Sequence, residues 1–431
     1  MAAKPSSRRP GTRSRDLERY AALFAKRTRV MRSSAMRDMM EITARPEVIS
    51  LAGGLPDTST FPAGAFTAGM DRIARTSLAE ALQYGPTEGT ALIREQIARV
   101  MAAEDMDVDP HEVTVTTGGQ QAIDLISKVL LDPGDVLICD APTYPGAIPT
   151  FLTYEADVRQ IECDHDGMRM DLLEETLTGL AAEGKRPKFI YSVPTFQNPA
   201  GVTMSLERRL RLVELAAEHE IIVVEDNPYG LLRFEGQPLP TLHNLDAGGY
   251  VVYLGTFSKI LSAGLRLGWI VAPLPIREKV VLGKGASDLC TSTLSQDFAG
   301  HYFRDDNWVA YIEELRTIYR RRRDAMIAAI ERHFPAGYTR SHPDGGLFLW
   351  ATMPEGIDTE NLLARSLQRG VAFVPGTAAY VDGRGHRSMR LNFSGVSEEE
   401  ITEGIHRIGT VASEHLALVE TIASQGREAA R

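Results

Sequence analysis

From about residue 113 onward, short apolar runs alternate with longer stretches in which apolar positions recur every three to four residues. Residues 113–116, 136–139, 188–193, 221–225 and 251–254 are rich in Val, Ile, Leu and Tyr, which predicts strands buried on both faces, while residues 120–130 carry the helical period. Apolar strands joined by helices call for a mainly parallel sheet covered on both sides. Upstream, residues 17–43 turn helical in two pieces, and residues 48–51 lead into the loop Ala52-Gly53-Gly54-Leu55-Pro56-Asp57. Helical segments at 65–82 and 90–104 follow, separated by Gln83-Tyr84-Gly85-Pro86-Thr87-Glu88-Gly89. Past about residue 305 the pattern changes. A long helix from 308 to about 334 leads to Gly345-Gly346-Leu347-Phe348-Leu349-Trp350, a helix near 359–369, Val371-Ala372-Phe373-Val374-Pro375-Gly376, then Arg390-Leu391-Asn392-Phe393, and a final helix from 398 to about 422. The expected architecture is α/β, with residues 65–305 as a large domain and residues 306–431 as a smaller α+β domain. Residues 31–64 read as an arm completing the smaller domain, and residues 1–30 as a flexible basic segment.

Composition narrows the class without changing this picture. The 431 residues carry a net charge of -10, which argues against a surface that coats nucleic acid. No apolar run is long enough to span a bilayer, and the start lacks the charged-then-apolar pattern of a signal peptide. Three scattered cysteines, Cys139, Cys163 and Cys290, have no metal-ligand spacing and fit a reduced cytoplasmic compartment, in or near the core.

The chemistry-bearing residues cluster just after the predicted strands, where ligands of such sheets bind. Thr256-Phe257-Ser258-Lys259, followed by Gly264 and Arg266, places hydroxyls and cations in one loop suited to a phosphate. Lys259, among cationic and apolar neighbours, can lose its proton near neutrality and form a Schiff base with an aldehyde. Thr117-Gly118-Gly119-Gln120 enters a helix whose free amides and dipole favour a second phosphate contact. Tyr144 offers a ring that can stack on a planar heterocycle, Asn198 a donor to a ring oxygen, and Asp226, with Tyr229 three residues on, a carboxylate that can hold a pyridine nitrogen protonated. Each has a plainer use as a glycine turn, a core tyrosine, an Asn-Pro turn or a capping aspartate. Together they match the needs of one cofactor, pyridoxal 5'-phosphate.

With these motifs in hand, the chain resembles the class I/II aminotransferases of pyridoxal-phosphate fold type I, most closely the branch of the 2-aminoadipate and kynurenine aminotransferases. The resemblance runs from about Met31 to the last helix and rests also on Ile49-Ser50-Leu51-Ala52-Gly53-Gly54-Leu55-Pro56, Phe196-Gln197-Asn198-Pro199, Val224-Glu225-Asp226 and Met389-Arg390-Leu391. It implies a ping-pong transfer of an amino group between an α-amino acid and a 2-oxo acid. Lys259 would be the Schiff-base lysine and proton carrier. Thr256, Ser258, Arg266, Gly118, Gly119 and Gln120 would surround the phosphate, Tyr144 would stack on the ring, Asn198 and Tyr229 would reach its phenolic oxygen, and Asp226 would pair with its nitrogen. Tyr84 would reach the phosphate of a neighbouring subunit in a homodimer with shared sites. Arg390 would clamp the substrate α-carboxylate, helped by Asn198 and the Gly54 backbone, and Arg37 matches a position that meets acidic substrate side chains in some relatives.

The chain departs from the family pattern at Gly119, where relatives often carry serine, at Ala200 in place of threonine, at Thr256 in place of serine, and at the unusual pair Asn227-Pro228 beside Tyr229. Two further readings stay open. One keeps the cofactor and changes the reaction at Cα to a lyase, decarboxylase or oxidase. The other is a transcription regulator on the same fold, for whose winged-helix module and linker the fifty or so residues before the Gly53-Gly54 loop leave too little chain.

Overall fold

The computed structural model describes residues 20–31, 45, 47–305 and 307–429. In chain order its strands are β1 (Ile49–Ser50), β2 (Val113–Thr116), β3 (Val136–Ala141), β4 (Asp157–Asp164), β5 (Gly167–Met168), β6 (Phe189–Ser192), β7 (Ile222–Asp226), β8 (Val251–Thr256), β9 (Gly268–Val271), β10 (Thr339–Arg340), β11 (Phe348–Thr352), β12 (Val371–Ala372), β13 (Val374–Pro375) and β14 (Ser388–Asn392). Eight of them form one sheet in the order β2-β9-β8-β7-β6-β3-β4-β5. Its centre is parallel; β9 runs against both β2 and β8, and β5 against β4.

The period of two along each central strand sends alternate side chains into two different cores. Leu137, Tyr191, Val224, Val252 and Leu254 pack under the helices Gly119–Leu130 and Leu274–Ser287. Ile138, Ile190, Val223 and Val251 pack on the other side under Met170–Ala182 and Leu206–His219. The sheet is therefore doubly covered, as the apolar runs require. A second, antiparallel sheet has the order β10-β11-β14-β13, and the long helices Trp308–His333 and Glu398–Ala429 pack beside it. β1 pairs in parallel with β12, which ties the stretch before the Gly53-Gly54 loop to the C-terminal part of the chain.

Several expectations needed correction. β7 runs through Asp226 and β8 through Thr256, so these two residues close their strands instead of following them. β4, with its half-exposed polar positions, and the four-residue β9 carry no long apolar run and were not legible from the pattern. The helix expected over 65–82 breaks at Ser77 into Ala63–Thr76 and Leu78–Ala81. Within residues 20–31 the chain makes the short 3-10 turns Ala21–Leu23 and Lys26–Arg29 rather than an α-helix; the Lys-Arg-Thr-Arg turn buries no residue that could hold a longer helix down. The remaining helical expectation there, with Arg37, lies outside the described residues. Cys139 is buried, Cys163 and Cys290 are partly buried, and all three are free thiols. Among the described residues, no helix is long and apolar enough to cross a membrane.

Candidate active site

Five strands deliver their carboxyl ends to one edge of the large sheet. Asp226 lies opposite Leu254 in the β7–β8 register, so Asp226 and Thr256 end within two residues of each other. Because β9 is antiparallel to both of its neighbours, β2 runs in the direction of β8 and brings Gly118 and Gly119 to the same edge. The loops after β3 and β6 supply Tyr144 and Asn198. There a cavity of about 150 Å³ opens, and Gly54, Phe348 and Arg390 close it from the side of the second sheet.

One end of the cavity is built for an anion. Thr256 Oγ1 donates to the Leu267 carbonyl at 2.9 Å and accepts from the Ser258 amide at 3.1 Å, which pins the base of the loop carrying Lys259 and Arg266. Two glycines let the turn after β2 lie close against β9 and the Arg266 loop. Gly118 sits at φ +77°, where a Cβ would fall 2.4 Å from an Arg266 nitrogen, and a Cβ on Gly268 would fall 2.7 Å from the Gly118 carbonyl carbon and 2.8 Å from the Gly119 nitrogen. The amides of Gly119 and Gln120 open the helix Gly119–Leu130 and have no partner among the described residues, so they and the helix dipole are free for a phosphate. The Gln120 side chain is otherwise engaged: its amide donates to the Gly146 carbonyl at 3.0 Å and to Thr150 Oγ1 at 2.8 Å, holding the loop that carries Tyr144.

At the other end, Tyr191 donates its hydroxyl to Asp226 Oδ2 at 2.6 Å. Burial pushes the Asp226 carboxyl up to about 6, against the pull of Tyr191 and Lys259. Burial also pushes the Lys259 amine down to about 8, helped by the charges of Arg390 and Arg266 and opposed by Asp226. Its Nζ donates to the Gly54 carbonyl at 2.5 Å. Arg390 is 1 % exposed; it donates to Asn198 Oδ1 at 3.1 Å and to the Ala52 carbonyl at 2.8 Å, and lies 4.3 Å over the Phe348 ring. Asn198 donates in turn to the Tyr229 hydroxyl at 3.4 Å. The unusual Asn227-Pro228 pair thus leaves Tyr229 facing the cavity.

Two residues expected at the site stand apart from this group. Tyr84 is 77 % exposed and does not line the cavity of its own chain, and Arg37 lies outside the described residues. Conversely, sequence reasoning did not single out Tyr191, Gly268 or Phe348. The strand period marks Tyr191 as a core residue, and only the β6–β7 register, with Tyr191 opposite Val224, shows that it shares a face with Asp226.

Three cations and one carboxylate, Lys259, Arg266, Arg390 and Asp226, face a single small cavity. That donor set, with unpaired amides at one end and a buried acid near the other, fits a planar pyridine aldehyde bearing a phosphate, together with a carboxylate substrate. The fold and site define a pyridoxal-phosphate-dependent transaminating enzyme. The comparisons agree: residues 46–408 match the family model for aminotransferase class I and II, and the chain belongs to that family. It is 43% identical over 402 residues to an aromatic-amino-acid aminotransferase of Thermococcus litoralis, covering 93% of this chain and 96% of that one. The crystal structure of a kynurenine aminotransferase from Pyrococcus horikoshii superposes with a TM-score of 0.88 at 42% identity, covering 93% and 98% of the two chains. That of an alpha-aminoadipate aminotransferase from Thermus thermophilus, solved with a phosphopyridoxyl-leucine ligand, gives 0.86 at 36% identity, over 93% and 99%. The protein is an aminotransferase, its cofactor is pyridoxal 5'-phosphate, and its reaction is transamination between an amino acid and an oxo acid.

Proposed function

We propose that the cavity residues divide this reaction among themselves as follows. When bound, pyridoxal 5'-phosphate supplies an aldehyde carbon that takes up the amino group and a cationic ring that draws electrons from the substrate Cα. Lys259 Nζ would hold the cofactor and serve as the base that moves the proton at Cα; an amine held near 8 can both take and give a proton at neutral pH. Asp226 holds the ring nitrogen in its protonated form, and Asn198 and Tyr229 hold the ring oxygen. Tyr144 covers the ring, while Thr256, Ser258, Arg266 and the Gly118, Gly119 and Gln120 backbone hold the phosphate. Arg390, with Asn198 and the Gly54 backbone beside it, fixes the substrate carboxylate and so orients the Cα–H bond. The observation that carries this reading is the convergence of the Lys259 amine, the Asp226 carboxylate and the Arg390 guanidinium on one cavity of about 150 Å³.

The enzyme acts, on this reading, as a homodimer in the cytoplasm. Tyr84, Leu82, Leu282 and Leu289 stand exposed, and Thr293 donates to the Ala81 and Gln83 carbonyls, which ties the Tyr84 loop to the start of the helix that follows Leu289. A second copy covering them would let Tyr84 reach its partner's phosphate site. Names of the relatives suggest aromatic amino acids and 2-aminoadipate as first donors to try; Arg37 would assist the acidic one.

A donor panel mixed with the yellow holoenzyme tests the assignment. An accepted amino acid converts the visible spectrum to that of the pyridoxamine form and releases the matching 2-oxo acid, and Lys259→Ala abolishes turnover. Released CO2 or peroxide with an unchanged cofactor form would overturn it. Sedimentation of the holoenzyme checks the dimer.

A further inference from the structure

The segment Asp226-Asn227-Pro228-Tyr229-Gly230 has two faces. Asp226, Pro228 and Tyr229 line the active-site cavity, whereas Asn227 and Gly230 turn away from it toward Glu104, just past the helix Ala91–Ala102. Asn227 Nδ2 lies 3.0 Å from Glu104 Oε1 and 3.1 Å from the Tyr253 hydroxyl, so its two hydrogens have one acceptor each. The Asn227 backbone amide is spent on the Leu254 carbonyl at 3.0 Å, and Pro228 has no amide to give. Glu104 also packs directly on the turn: a Cβ on Gly230 would lie 1.7 Å from Glu104 Oε1. On its far side Glu104 borders a second cleft of about 540 Å³, shared with Thr195, Arg233 and Arg316. Besides the charged residues of that cleft, the buried Glu225 and Arg209 lie near it; desolvation pushes its carboxyl up to about 7, while hydrogen bonds from Asn227 and Tyr253 pull it down.

We propose that Glu104, acting through Asn227, is a positioning residue for the active-site loop: it grips the 226–230 segment from behind and so aims the Asp226 carboxylate and the Tyr229 hydroxyl into the cavity. Glu104 is half-buried at the edge of the second cleft, but its Oε1 fits closely against Gly230 and accepts from the one side chain that turns back from the loop. The inference rests on the reading of Asp226 and Tyr229 as cofactor contacts.

The test uses Glu104→Leu, which removes the acceptor, Glu104→Gln, which keeps an oxygen for the Asn227 amide, Asn227→Ala, and the Glu104→Leu/Asn227→Ala pair, all at pH 8. Titration of each apoprotein with pyridoxal 5'-phosphate gives cofactor affinity, the holoenzyme spectrum reports the ring environment, and donor kinetics separate KM from kcat. Glu104→Leu is expected to weaken cofactor binding and lower kcat about tenfold each, the size of one hydrogen bond to a charged group, with donor KM within about twofold because Arg390 is untouched. Glu104→Gln returns both to within about twofold of the parent, and the double variant is no worse than the poorer single one, as expected for two residues acting as one unit. Parent-like affinity, spectrum and kcat in Glu104→Leu, a loss that glutamine does not rescue, or additive losses in the pair would overturn the proposal. If Glu104→Leu does not fold, Asn227→Ala and Glu104→Gln decide it: the first must weaken the cofactor about tenfold and the second must not. Asp226→Asn run alongside separates the two failures, since loss of cofactor affinity there with no effect at Glu104 or Asn227 sinks only the positioning role, and no loss at Asp226 sinks the underlying reading.

Discussion

Tyr191 reaches across from β6 to donate its hydroxyl to Asp226 Oδ2 on β7, a 2.6 Å bond between two fully covered strands. It is the single side-chain hydrogen bond that the described residues give this acid, so the protein alone leaves the carboxylate under-solvated. Tyr191→Phe removes a group that favours the anion, and the Asp226 carboxyl then moves further up from about 6. We expect the acid limb of the kcat–pH profile to shift to higher pH and kcat at pH 7 to fall about tenfold, with donor KM little changed. An unshifted limb in the variant would count against Asp226 as the acid behind that limb.

Asp226 should cost the cofactor-free protein stability. In the unfolded chain its carboxyl titrates at 3.8 and in the folded chain near 6, so between those values the folded state holds more protons and stability falls as pH rises. Above pH 6 the full cost is about 3 kcal/mol. Apo Asp226→Asn should therefore melt higher than the apo parent at pH 7.5, with the advantage gone by about pH 3.5, as calorimetry across this range can show. A variant that melts lower at pH 7.5 refutes the trade of stability for function.

The depressed Lys259 amine has burial as its leading cause and the Arg390 charge as the next. Arg390→Gln takes away the second and leaves the first, so the Lys259 midpoint should rise from about 8 without reaching its ordinary 10.5. Labelling apoprotein with an amine reagent over a pH series, read by mass at Lys259, follows this directly. The same midpoint in both proteins would mean that Arg390 is not felt at the amine.

Gly268→Ala is expected to strike the phosphate end from below. The new methyl meets backbone atoms of Gly118 and Gly119 at 2.7 and 2.8 Å, and backbone cannot swing aside as a flexible side chain can. Stability should drop by about 1–3 kcal/mol, and, if the displaced amides hold the phosphate as proposed, cofactor affinity should drop more than donor affinity. Denaturant melts and apoprotein titration measure the two effects, and an alanine variant with unchanged cofactor affinity would argue that this backbone is not the phosphate cradle.

Much of the site was readable before any coordinates because a parallel sheet gathers its chemistry at the carboxyl ends of strands. Asp226, Thr256, Ser258 and Lys259 sit where an apolar run stops and polar residues begin, a boundary that the pattern marks by itself. Tyr191 and Gly268 sit inside strands, where a buried tyrosine or a small residue looks like packing; their roles exist only through register with β7 and through contact with β2. Glu104 was hidden for another reason. It lies 122 positions before Asp226, in a turn just past a helix, and the charge pattern there gives no hint that the acid faces Asn227. Tyr84 shows the reverse case, a motif residue that was expected at the site and stands exposed outside its cavity.

The parallel pairing of β7 with β8 sets Asp226 opposite Leu254, two residues short of Thr256. On the assignment proposed above, the residue for the ring nitrogen and the first residue of the phosphate site are thus carried by neighbouring rails of one track, one interstrand spacing apart. A single-residue deletion in either strand would turn its terminal side chain to the opposite face of the sheet, under the helices Met170–Ala182 and Leu206–His219, and so take Asp226 or Thr256 out of the cavity that both now line.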